Sequence, residues 1–146
     1  MKGGISVKYK RFGDQLVVKL DVGDEVVASL VEIAEQEDIQ AAEISGIGAV
    51  DHVKLAFFQL ETKDYAYQQF DEAFEVLSLI GNFTRNKDKY HPHVHIVLGR
   101  DDFSTIGGHL NEAYTSVTME IVLNVVEGII ERQPDEVIGL DLIDFS

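Results

Sequence analysis

Only one stretch of this chain carries its apolar residues at helical spacing: Val26, Val27, Leu30, Val31, Ile33 and Ala34, ending near Gln36. Asp21 and Asp24 precede it as capping carboxylates, while Glu25, Glu32 and Glu35 read as its solvated face. Beyond the helix the period changes to that of strands. Residues 41–47, 53–60, 74–80, 93–98, 117–126 and 139–143 are short runs rich in Val, Ile, Leu and Phe, with 65–70 as a further edge strand. Ahead of the helix, 5–10 and 15–20 are β-rich and separated by Arg11-Phe12-Gly13-Asp14, whose Gly-Asp pair signals a hairpin turn. Residues 107–114 read as a loop or a short helical turn. Strands that come in runs predict an α+β fold (an α/β sandwich), a mainly antiparallel sheet with helix cover, rather than a doubly wound parallel sheet.

The 146 residues suit a single domain over 1–146, since a chain of this size buries about 70% of its unfolded surface in one core. With no Cys, disulfide and thiol chemistry are excluded. Met1-Lys2-Gly3-Gly4-Ile5 passes into strand-like sequence without the apolar run of a signal peptide, and no window resembles a membrane span. The expected location is the cytoplasm, with no membrane partner.

Charge narrows the partners. There are 12 Lys plus Arg against 26 Asp plus Glu, a net charge of −14. Lys2, Lys8, Lys10, Arg11 and Lys19 crowd the first 20 residues, whereas 21–50 hold eight acids and no base, and the stretch from Asp101 onward has Arg132 alone. Nucleic acid is gripped by clustered bases that displace counter-ions, so this balance opposes it unless the first segment forms a patch by itself. Lys8 and Lys10 share a parity and read instead as the wet face of a strand.

Ser45-Gly46-Ile47-Gly48 begins like a dinucleotide fingerprint, but Asp51 stands where the third glycine is needed and a strand follows where a helix is needed. It reads as a turn or bulge.

The histidines carry the chemistry. In His91-Pro92-His93-Val94-His95, with Pro92 opening the strand, His93, His95 and Val97 point to one face and Val94, Ile96 and Leu98 to the other. Imidazoles two apart on a strand have Cα atoms ~7 Å apart and can converge on one ion. Gly107-Gly108-His109 lets the backbone approach the sheet and aims a third imidazole at the pair. Three neutral imidazoles describe an open zinc site, with nickel, iron or copper chemically possible. His91 reads as a rim group, and His52 as structural or exposed.

The segments 45–49 (SGIGA), 74–81 (FEVLSLIG), 92–96 (PHVHI) and 107–110 (GGHL), in that order, resemble the plant-and-prokaryote-conserved (PPC) domain, in a free-standing prokaryotic form, over about residues 5 to 143. The resemblance implies a mainly antiparallel α/β domain assembled as a homotrimer, with His93, His95 and His109 as its metal positions. Plant members carry an Arg-Gly-Arg-Pro AT-hook and a Gly-Arg-Phe-Glu-Ile-Leu stretch. The first has no counterpart in these residues, and the second reads Glu72-Ala73-Phe74-Glu75-Val76-Leu77.

Three functions follow. The first is a trimeric metal-binding protein of undefined activity, with zinc as the favoured ion. The second is a metal-dependent enzyme, a hydrolase or lyase of unknown small-molecule substrate, in which Glu75 or Glu120 supplies a base or orienting group. The third is a DNA-associated regulator, suggested by the family and the basic first segment and opposed by the charge. Self-association has its own rationale, because one amphipathic helix covers less apolar surface than these strands present.

Overall fold

The computed structural model describes residues 7–146. In chain order the elements are β1 (Lys8–Phe12), β2 (Gln15–Leu20), α1 (Val26–Glu37), β3 (Ala42–Gln59), β4 (Asp64–Phe70), β5 (Phe74–Asn86), β6 (Lys89–Gly99), β7 (Thr105–Val125), β8 (Glu131–Asp135) and β9 (Leu140–Asp144). Residues 5 and 6 of the first expected strand lie outside the described residues.

The strands form one sheet in the order β1-β2-β7-β3-β5-β8-β9, with β4 added to β3 and β6 joining β5 to β7. Every ladder is antiparallel except a single parallel bridge between Arg85 and Glu131. The two longest strands give the sheet its shape. The first half of β3 pairs with β5, its second half with β4, and both halves with β7, through register shifts at Gly46/Gly48 and beyond. The expected strands 41–47 and 53–60 are therefore one bent strand, and Gly46-Ile47-Gly48 is a bulge within it.

Alternation decides the two faces. In β2, Leu16, Val18 and Leu20 are fully buried while Gln15, Val17 and Lys19 face out. Helix α1 lays Val26, Leu30, Ile33 and Ala34 onto the inner face, where they join Ile44, Leu79, Phe83, Val94, Ile96, Met119 and Ile121. Each fully buried Leu, Ile or Phe contributes about 1.5–3 kcal/mol relative to exposure, so this one-sided cover fixes strand register.

Two local expectations need correction. Neither Asp21 nor Asp24 caps the helix: Glu25 does, its carboxylate accepting from the backbone N–H of Val27 at 2.9 Å, Ala28 at 2.8 Å and Ala113 at 3.1 Å. Asp21 is held by Lys8 and Lys19, and Asp24 turns back to the backbone N–H of Asp21. Glu25 is thus not part of a solvated face. Residues 107–114 are not a loop but the continuation of β7, because the two glycines fit between neighbouring strands. A Cβ at Gly107 would stand 2.5 Å from the Ile96 carbonyl oxygen.

Candidate metal centre

Strand β6 begins at Lys89, three residues before Pro92. The proline pairs with Phe83 of β5 on one side, while β7 reaches β6 only from His95 onward, so its missing N–H costs no ladder bond on the other side. Parity then follows as expected. Val94, Ile96 and Leu98 are buried, and His93 and His95 point to the outer face. His109 sits directly opposite His95 across the β6–β7 ladder, so a strand rather than a loop delivers the third ring. Beneath His93, β5 comes close enough that a Cβ at Gly81 would stand 1.9 Å from the His93 carbonyl oxygen.

The ring centroids are 5.0 Å apart for His93–His95, 5.3 Å for His93–His109 and 5.6 Å for His95–His109. One ligating nitrogen from each ring lies within 4.8 Å of the others. Nitrogens at tetrahedral zinc lie about 3.3 Å apart, so small side-chain rotations would bring all three into bonding range. His93 is pushed down to about 4, first by burial and then by the neighbouring rings of His109 and His95. His109 is lowered by burial, then by His95 and His91. Such rings are neutral at physiological pH and present lone pairs. The donor set contains nitrogen only, which suits zinc, nickel, copper or iron and not calcium or magnesium. Among the described residues, this three-His group could hold a metal ion.

This arrangement has the family's motif order, and the family comparison agrees. The Plants and Prokaryotes Conserved (PCC, or PPC) domain matches residues 7–127. The chain belongs to this family. A proposed DNA-binding protein from Bacteroides thetaiotaomicron is 32% identical, covering 95% of this chain and 97% of its own, with a TM-score of 0.92. A metal-containing protein from Archaeoglobus fulgidus is 34% identical, covering 94% and 96%, with a TM-score of 0.83. A plant- and prokaryote-conserved protein from Pyrococcus horikoshii is 28% identical, covering 99% and 97%, with a TM-score of 0.83. No curated protein matches the chain.

Other residues of this PPC domain fall into distinct places. His91 is half-buried beside the rings, and burial and then Arg132 lower its pKa. His52 stands apart, its Nδ1 2.5 Å from Asp71 and its Nε2 3.2 Å from Glu112, with Tyr114 edge-on at 5.4 Å. Glu75 pairs with Gly99, four residues beyond His95 on β6, which places it about 13 Å along the strand. Glu120 shares a groove with Glu75, Ile47, Leu77 and Val117. The structure does not bring either carboxylate to the imidazoles within one copy.

Two neighbours of the rings are not foreseen from the sequence. Tyr65 lies against His109 at 5.3 Å, and burial raises its phenol pKa. Its alternation with Tyr67 on an edge strand is the available signal. Arg132, only 9% exposed, lies on the β8–β9 hairpin and donates to Thr84 Oγ1 at 2.8 Å and Asn82 Oδ1 at 3.3 Å. Its signal is slighter: a lone base within an acidic stretch.

Proposed function

We propose that this PPC-domain protein binds a divalent transition metal, with zinc favoured, through His93, His95 and His109. The observation that carries this is the approach of three ligating nitrogens to within 4.8 Å on adjacent strands, with no carboxylate among them. The likeness to a metal-containing relative at 34% identity supports it. A bound ion would supply Lewis acidity at an open position. Tyr65 shields one side of the His109 ring, and the burial of His93 and His109 keeps their nitrogens unprotonated.

The homotrimer belongs to the same reading. Val17, Ile47, Leu77, Ile80, Val97 and Val117 expose apolar side chains, Ile47 at 58% and Val117 at 68%. Ile80 pairs with His95, which ties this apolar surface to the rings. Surface of that kind supports packing against further copies. Val117→Glu is expected to shift the mass seen by light scattering toward the monomer, and an unchanged monomeric mass for wild type would contradict assembly.

Elemental analysis of purified protein should give near one transition metal per chain. Full metal content in His109→Ala would contradict the ligand set.

Two other readings rank below this one. A metal-dependent hydrolase or lyase needs a base near the ion, and Glu75 and Glu120 lie away from it in the chain's own fold. Association with DNA has the description of one relative in its favour. Against it, Lys8 and Lys19 face Asp21 at 2.9 and 2.7 Å, Arg11 faces Glu37 at 3.1 Å, and Lys10 lies over the Phe12 ring. Lys2 lies outside the described residues. A DNA titration at low salt should show no binding.

A further inference from the structure

Arg132 is the only charged side chain among the described residues with so little exposure. A buried guanidinium normally meets a carboxylate, because a desolvated charge is costly unless paired. Here it does not. Its Nε donates to Thr84 Oγ1 at 2.8 Å, its Nη1 to the Asp141 carbonyl oxygen at 3.1 Å and its Nη2 to Asn82 Oδ1 at 3.3 Å. All three acceptors are neutral, and no carboxylate oxygen among the described residues lies within ion-pair distance. Asp141 is close enough to supply one, but its carboxylate turns away to Asn86 Nδ2 at 2.9 Å and Lys87 Nζ at 3.6 Å. A guanidinium has five N–H donors, so these contacts leave N–H groups on both terminal nitrogens for a further acceptor.

Register places this cation beside the imidazoles. Asn82 pairs with His93, and Thr84 with His91, across the β5–β6 ladder. Residues paired across a ladder share a face, so a guanidinium bonded to Asn82 and Thr84 lies on the outer face that carries the histidine rings. The Tyr65 ring lies against His109 on a second side, its centroid 5.3 Å away. Arginine stays charged at any pH at which a protein is folded. The outer face therefore sets imidazole rings beside a guanidinium that has no carboxylate within ion-pair distance among the described residues.

We propose that Arg132 is the carboxylate-holding group of this site, so that its ligands are small organic acids whose carboxylate sits on the guanidinium while a second oxygen turns toward the three histidines. A 2-hydroxy or 2-oxo acid is the simplest molecule of that form. A single planar fork matches a carboxylate in two parallel hydrogen bonds. A multiply charged phosphate is disfavoured by a chain of net charge −14. The orientation of the second oxygen rests on the metal reading above; the arginine contact does not.

The experiment separates the two. Metal-free protein is labelled with nitrogen-15 in its arginine side chains and titrated with acetate, and with acetamide as the neutral isostere. Acetate is expected to shift the Arg132 Nε–H resonance saturably, and acetamide is not. Asn82→Asp, which sets a carboxylate against Nη2 while leaving the Thr84 and Asp141 contacts, is expected to weaken acetate binding about tenfold or more. Arg132→Gln is expected to abolish acetate binding, and Asn82→Asp keeps the test decisive where Arg132→Gln fails to fold. Zinc-loaded protein is then expected to bind glycolate at least about tenfold more tightly than acetate.

No saturable shift, an equal response to acetamide, or preference for inorganic phosphate would overturn the proposal and make Arg132 a structural pin for the β8–β9 hairpin. A clear acetate response together with zinc bound away from the histidines would uphold the arginine contact and overturn the metal reading.

Discussion

Two histidine environments in one chain show how neighbours set the task of an imidazole. His52 is clamped between Asp71 and Glu112, and the hydrogen bond it donates to Asp71 leads the effects that raise its pKa. His93, His95 and His109 face one another with no carboxylate in their group, and burial drives His93 down to about 4. The first arrangement favours the imidazolium and uses it to tie β3 to β7 and the end of β4. In the second, burial disfavours the proton on His93 and His109, and none of the three rings has a hydrogen-bond partner among the described residues. In this chain the carboxylates beside His52 favour its protonated form, whereas burial without a carboxylate favours the neutral form of His93 and His109.

The largest effect that sharpens this contrast is on metal affinity. His93→Ala is expected to weaken zinc binding at least about 100-fold in competition with a chromogenic chelator, while His52→Ala leaves it unchanged. Equal losses would break the contrast.

Gly81→Ala comes next. Its Cβ would meet the His93 carbonyl oxygen at 1.9 Å, so β5 and β6 must part. Urea denaturation is expected to show a loss of about 1–3 kcal/mol or more, with weaker zinc binding beside it.

The proton equilibria follow. In metal-free protein, NMR titration should find His52 above its usual 6.5 and His93 near 4. Between those values the unfolded chain holds more protons at residue 93 than the folded chain, so this residue lowers stability as pH falls from about 6.5 toward 4. His52 acts in the opposite sense. Its contribution is fully present below 6.5 and is lost as pH rises through its raised folded value. The smallest effect is therefore that of His52→Gln, a drop in Tm of about 2–4 °C at pH 5.5 that shrinks by pH 9. A deficit that grew with pH would reverse the assigned charge of His52.

Much of the site was legible because strand parity is simple. Val94, Ile96 and Leu98 against His93 and His95 fix a face without any tertiary information. The route of His109 was not legible: consecutive glycines read as a break, and only the packing of β7 between β6 and β3 shows why glycine is needed in a strand there. Strand β8 escaped for a related reason, since Glu131-Arg132-Gln133-Pro134-Asp135 has neither alternation nor apolar content and pairs through its backbone with β9. Arg132 vanished with it. The helix cap was mistaken because Asp is the more usual capping residue, whereas the longer Glu25 also reaches Ala113 on β7.

The most direct test is anomalous diffraction at the zinc edge from crystals grown of zinc-loaded protein. The account predicts one strong peak per chain, about 2.0–2.1 Å from a nitrogen of each of His93, His95 and His109. A peak instead at His52 with Asp71 or Glu112, or none between the three rings, would contradict it.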